Sequence, residues 1–148
     1  MKKSLLWIAT WWLTSTCSII NSQACELSIE HAWLRLPPPV SDTAAAYMTL
    51  QNRCNETKEI TQLTSSIASM VMLHDAHMHG MKSLRIEPNQ QIIFAPHGPH
   101  IMLMGIKHAI QKDSTISMMF HFRDNHQQRV VFPVKDMRMP ATSHMHHM

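Results

Sequence analysis

The chain predicts an all-β fold, an antiparallel Greek-key β-sandwich. Three observations carry this expectation. Apolar and polar residues alternate with period two along much of the chain, and helical periodicity is hard to find. Turn signals recur every 8–12 residues, a spacing that suits short strands packed in two sheets. The mature chain is also long enough to bury a core of its own, at about 124 residues once an export signal is removed.

The elements follow in order. Leu27, Ile29, His31 and Trp33 alternate with Ser28, Glu30 and Ala32, which reads as a first strand. Pro37-Pro38-Pro39 ends it, because proline brings no N–H to a ladder. Residues 44–50 form a second strand, broken by Asn52-Arg53-Cys54-Asn55. Residues 58–65 and 70–74 form the third and fourth. His77-Met78-His79-Gly80 reads as a turn, with 81–86 returning. Pro88-Asn89 marks the next turn and 91–94 a short strand. Ala95-Pro96-His97-Gly98-Pro99 is a rigid loop leading into a strand that begins at His100. Ile116, Met118, Phe120 and Phe122 alternate with Ser117, Met119, His121 and Arg123, and Val130, Phe132 and Val134 close the last strand.

The termini read differently. Residues 1–24 have the form of a secretory signal: Lys2 and Lys3, an apolar stretch over 5–20, and Ser22-Gln23-Ala24 before the cut. Thr and Ser dilute the apolar stretch, which is shorter than the ~20 residues a membrane span needs. No stable membrane anchor is therefore expected after cleavage. A lipid-bearing Cys25 is the alternative, although Asn21 and Gln23 fit a lipidation box badly. Export behind a two-lysine start points to a Gram-negative periplasm. The folded domain is expected over 25–136. Residues 137–148, with Met137, Met139, His144, Met145, His146, His147 and Met148, offer too little to pack and are expected to be a disordered tail.

Charge and cysteine usage narrow the function. The net charge of +3 includes Lys2 and Lys3, and no basic patch with interleaved aromatics stands out, so nucleic acid is not an expected partner. Cys17 lies in the signal. Cys25 and Cys54 then remain, and an oxidising compartment favours their pairing. No nucleophile–base pair, phosphate loop or paired-carboxylate motif suggests an enzyme.

The chemistry lies in His and Met. The chain holds 14 Met and 12 His among 148 residues. His100 and Met102 are two apart on a strand, hence on one face and about 6.5–7 Å apart along it. Imidazole and thioether together suit Cu(I), and thioether suits Zn, Mg or Ca poorly. His74 ends the fourth strand, and the following turn offers Met78 and Met81. Two His and two Met make an N2S2 set that favours Cu(I) over Cu(II). Methionine is also the safer sulfur here, because a pair of cysteine ligands would oxidise in such a compartment. Met70, Met72, Met118 and Met119 read as packing or sheet-surface residues.

Ala32-Trp33-Leu34-Arg35 with Pro37-Pro38, Ala45-Ala46-Tyr47-Met48-Thr49-Leu50, Leu73-His74-Asp75 and Gly98-Pro99-His100-Ile101-Met102-Leu103-Met104-Gly105 stand in one order. In this the chain resembles the periplasmic copper chaperones of the PCuAC family over roughly residues 29–134. The resemblance implies a cupredoxin-like sandwich holding one Cu(I) through two His and two Met. It also implies delivery toward cytochrome c oxidase copper centres, the acceptor being subunit II or another copper chaperone. By this likeness His74, His100 and Met102 are ligands. The remaining Met falls in a contracted loop, where Met81 is chosen because it follows Gly80, with Met78 the alternative. Some members carry a His/Met-rich extension like 137–148. His144, His146 and His147 are then a candidate second site for Cu(II). A copper buffer or resistance protein with no dedicated acceptor is the retained alternative. An electron-transfer cupredoxin is disfavoured, since neither cysteine of the mature chain lies beside His100 and Met102.

Overall fold

In a computed structural model, residues 25–137 are described, and they contain ten strands and no helix. The strands are β1 (Ser28–Arg35), β2 (Thr43–Gln51), β3 (Lys58–Thr64), β4 (Ala68–His74), β5 (Gly80–Met81), β6 (Leu84–Ile86), β7 (Gln91–Phe94), β8 (His100–Ile106), β9 (Thr115–Phe122) and β10 (Gln127–Lys135). Hydrogen bonds run β4-β8-β2-β1-β10-β9-β3, and β3 pairs back to β4 at Leu63↔Val71, closing the sheet into a flattened barrel. Closure leaves these strands few free edges. The expectation of an all-β fold holds. The expectation of wholly antiparallel pairing does not, because β1 and β10 run parallel at Leu34↔Val134 and Arg35↔Lys135. Gln128 extends that junction with its side chain: its amide donates to the Leu27 carbonyl and its oxygen accepts the Leu27 N–H.

The core is what the alternation of the inner strands predicts. Leu50, Ile60, Ile101, Leu103, Phe120 and Phe132 are fully buried. The Phe120 and Phe132 rings stack with centroids 6.5 Å apart. The first strand departs from simple alternation. Its register slips between Glu30 and Trp33, and His31 takes a left-handed φ of 53°. This bulge reverses the inward face, as an extra residue must in a period-two element. Leu34 enters the core, while Trp33 turns outward and packs on Tyr47 with centroids 4.6 Å apart.

One edge of β2 carries two strands end to end. Met48–Gln51 pair with β7, and Thr43–Ala46 pair with β8. Between them the chain loops out over 95–99, pinned where the Ala95 N–H donates to the Pro99 carbonyl and the Gly98 N–H to the Ala95 carbonyl. The loop therefore sits at the start of β8, beside His100.

Cys25 and Cys54 are joined in a disulfide, as their isolation in the sequence suggests. Asn52, fully buried, holds the segment around Cys54: its amide donates to the Glu56 and Ile86 carbonyls, and its oxygen accepts the Cys54 N–H. The disulfide closes a loop of 29 residues, which by chain entropy stabilises the fold by about 3–4 kcal/mol. Cys25→Ser/Cys54→Ser is therefore expected to lower the urea midpoint by the equivalent of roughly 2–4 kcal/mol. An unchanged midpoint would show that the cross-link constrains nothing in the unfolded chain. The same sulfur cannot be both in this disulfide and in a lipid thioether, so the pairing opposes lipid attachment at Cys25.

Candidate metal centre

β4 and β8 are antiparallel neighbours, and their register places His74 opposite His100 and Met72 opposite Met102. Leu73, Ile101 and Leu103 point into the core, so the even-numbered residues face outward. The two imidazoles meet edge to face, with ring centroids 5.5 Å apart. Residues 26 apart in sequence thus stand side by side.

Each histidine has a distinct setting. His100 is only 8% exposed, and its Nδ1 lies 3.0 Å from the Gly98 carbonyl. A carbonyl only accepts, so Nδ1 carries the proton and Nε2 keeps its lone pair. A carbonyl that orients the ring in this way is the usual outer support of a metal-binding imidazole. His74 has a buried Nδ1 with no hydrogen-bond partner. Burial, and next the charge His100 would carry, hold its pKa below the ordinary 6.5, against the opposite pull of Asp75. The unfolded chain therefore takes up this proton more readily than the folded one. The contribution to stability is present above pH 6.5 and is lost as pH falls through 6.5, levelling off below the folded value. The apo protein is expected to lose more stability between pH 7.5 and pH 5 than its His74→Gln variant does, read as urea midpoints. Equal losses would contradict the burial of this ring.

Opposite β8 lies the 75–79 turn. Asp75 shapes it: its carboxylate accepts the His77 and His79 N–H groups at 2.8 and 2.9 Å, and its main chain bonds both His79 and Met78. These bonds, led by the His79 N–H, hold the Asp75 carboxyl below its ordinary pKa. The turn puts Met78 in a left-handed conformation, φ 66°, with the side chain 59% exposed. His97, in the 95–99 loop, has the same φ of 66°. Left-handed backbone is costly for a side chain with a Cβ, and such strain gathers at functional sites. Met78, His97, His100 and Met102 line one open cleft of about 400 Å³ with Tyr47 and Arg35. The Arg35 guanidinium lies 5.8 Å over the Tyr47 ring.

Of the residues singled out from the sequence, His74, His100 and Met102 come together, and Met78 shares the cleft with the last two. Met81 goes elsewhere. It pairs with Leu73, packs against the core, and lines a groove with Ile60, Leu63 and Val71. Gly80 lies not in the turn, where the sequence reading put it, but at the start of β5. It pairs with His74, and a Cβ there would meet the Met72 methyl at 2.8 Å. Sequence reasoning left His97 and Asp75 without a role. The visible signal for His97 was its place between two prolines just before His100. His144, His146 and His147, and residues 1–24, lie outside the described residues. Among the described residues no three His, Cys, Asp or Glu side chains converge as a ligand set.

The fold is similar to that of solved PCuAC domains. The copper-bound PCuAC domain from PmoF2 matches with a TM-score of 0.69 at 22% identity, covering 77% of this chain and 96% of that domain, a likeness of fold. The Cu(I) form of DR1885 from Deinococcus radiodurans matches at 0.67 with 25% identity, covering 80% of this chain and 84% of that one. The family model described as "Putative lipoprotein LpqE-like" matches residues 27–134, and the chain belongs to that family. The "Putative lipoprotein Lxx21020" of Leifsonia xyli subsp. xyli is 31% identical over 132 residues, 84% of this chain and 78% of that protein.

Proposed function

We propose that this protein is an exported copper carrier that holds one Cu(I) through His74, His100, Met102 and Met78. It passes the ion to a copper-accepting protein, either cytochrome c oxidase subunit II or another copper chaperone. The observation that carries this reading is the His74–His100 register pair with Met102 one step along the same face. Two imidazoles and two thioethers suit a soft monovalent ion with no demand for planar geometry. The copper-bound relatives of the same fold support the choice of metal. The relatives named as lipoproteins support export to the cell envelope, and residues 1–24 read as its signal.

Met78 takes the place first given to Met81 because it shares the cleft with His100 and Met102, while Met81 serves the core. A protein of this kind makes and breaks no covalent bonds. His100 is oriented before the metal arrives, and the exposed Met78 is the ligand that can leave when an acceptor's donor approaches. The His144, His146 and His147 segment is a candidate for a second, Cu(II)-binding position, since imidazole suits that ion.

Competition for Cu(I) with a coloured chelator tests the ligand set. Met78→Leu is expected to weaken binding by at least the ~10–100-fold that losing an outer support of a metal site costs, and Met81→Leu is expected to leave it unchanged. The reverse order would return the fourth ligand to Met81. Transfer to an apo acceptor faster than release to chelator would separate a carrier from a copper buffer.

A further inference from the structure

The outward face of β4 and β8 continues past the histidines. Below the His74–His100 pair come Met72 opposite Met102, then Met70 opposite Met104. Every outward position of these strands between residues 70 and 74, and between 100 and 104, is His or Met. Packing does not require this, because Val71, Leu73, Ile101 and Leu103 already serve the core. Met70 is left 54% exposed, where a polar or β-branched side chain would suit a strand better. On β2 the flanking residues are the small Ala45, beside Met102, and Thr43, beside Met104, so nothing bulky covers the thioethers from that side.

We propose that Met70 and Met104, joined by Met72, form a second position for a soft monovalent ion, Cu(I), that uses thioether sulfur alone. Directly opposed side chains on paired strands stand about 4.5–5.5 Å apart at Cβ, within reach of two long thioethers leaning together. Met72 lies one step along the same face, about 6.5–7 Å from Met70. It is also the link to the upper position. The space over Gly80 is bounded by the Met72 methyl at 2.8 Å and by His74 Nε2 at 3.8 Å. Methionine turns about three side-chain bonds, so Met72 can offer its sulfur to either rung. The lower position is an entry point from which an ion moves up to the imidazoles. It uses none of the four ligands proposed above, so it stands or falls separately from that reading.

The test is a titration with Ag(I), a redox-stable ion of the same charge and softness, in chloride-free buffer, on protein carrying ¹³C-methyl methionine. In the His74→Ala/His100→Ala variant, the Met70, Met104 and Met72 methyl signals are expected to shift together with one midpoint. The parent is expected to show two Met72 shifts, one with Met102 and a second with Met70 and Met104; in the Met70→Leu/Met104→Leu variant, which keeps volume and apolar character, Met102 is expected to respond as in the parent while the second Met72 shift disappears. Static Met70 and Met104 signals would overturn the proposal and leave the lower face an apolar surface. So would shifts that require the histidines, or a second Met72 shift that survives the leucine variant. A failed upper site would show instead as a silent Met102 with Met70 and Met104 still responding.

Discussion

His100→Ala/Met102→Ala is expected to abolish tight Cu(I) binding at the cleft, a loss larger than the ~100-fold that disturbing an outer support of a metal site costs. The double change removes one imidazole and one thioether of the four donors and leaves His74 and Met78 on separate elements. His100 is also the better-prepared of the two histidines, since the Gly98 carbonyl fixes its Nδ1 as donor and frees Nε2. Its loss leaves that carbonyl without a partner, which costs stability on the order of 1–3 kcal/mol. The urea midpoint therefore has to be measured beside the affinity. A folded double variant that still holds Cu(I) as tightly as the parent would show that His100 and Met102 do not hold the copper.

Phe120→Ala is expected to have the largest effect on the fold itself. Phe120 is fully buried on β9, paired in register with Leu63 of β3 and stacked on Phe132 of β10. Truncating a buried phenylalanine costs about 3–5 kcal/mol in lost burial and cavity. A domain of this size is stable by only about 5–15 kcal/mol. The variant should unfold at a much lower urea concentration, yet its folded fraction should bind Cu(I) like the parent, because the proposed ligands lie on β4, β8 and the 75–79 turn. A midpoint within ~0.5 kcal/mol of the parent, the range of an exposed substitution, would mean the core does not close around this ring.

Much of the candidate site was legible because its key pair is local. A His-x-Met step shares a face on any strand, whatever lies beside it. The partner across the sheet was not legible in the same way. That His74 faces His100, and that Met70 and Met72 face Met104 and Met102, depends on a register between distant strands. Pattern alone could name Met70 and Met72 only as packing or surface residues. The choice of Met81 rests on Gly80 reading as a turn residue. In fact Gly80 is a strand residue whose missing Cβ makes room for Met72, and the left-handed position falls on Met78. A period-two count groups Trp33 with Leu27 and Ile29, because a bulge at His31 leaves no mark in it. The parallel β1–β10 contact was equally hidden, since local alternation says nothing of strand direction.

The proposed centre is one Cu(I) held by two imidazoles and two thioethers from the β4–β8 face and the 75–79 turn. X-ray absorption on protein loaded with a single equivalent of Cu(I) tests it most directly. A shell of two nitrogen and two sulfur scatterers is expected, and it is expected to be lost in His100→Ala/Met102→Ala. A shell of nitrogen and oxygen without sulfur, or one unchanged by that substitution, would contradict it.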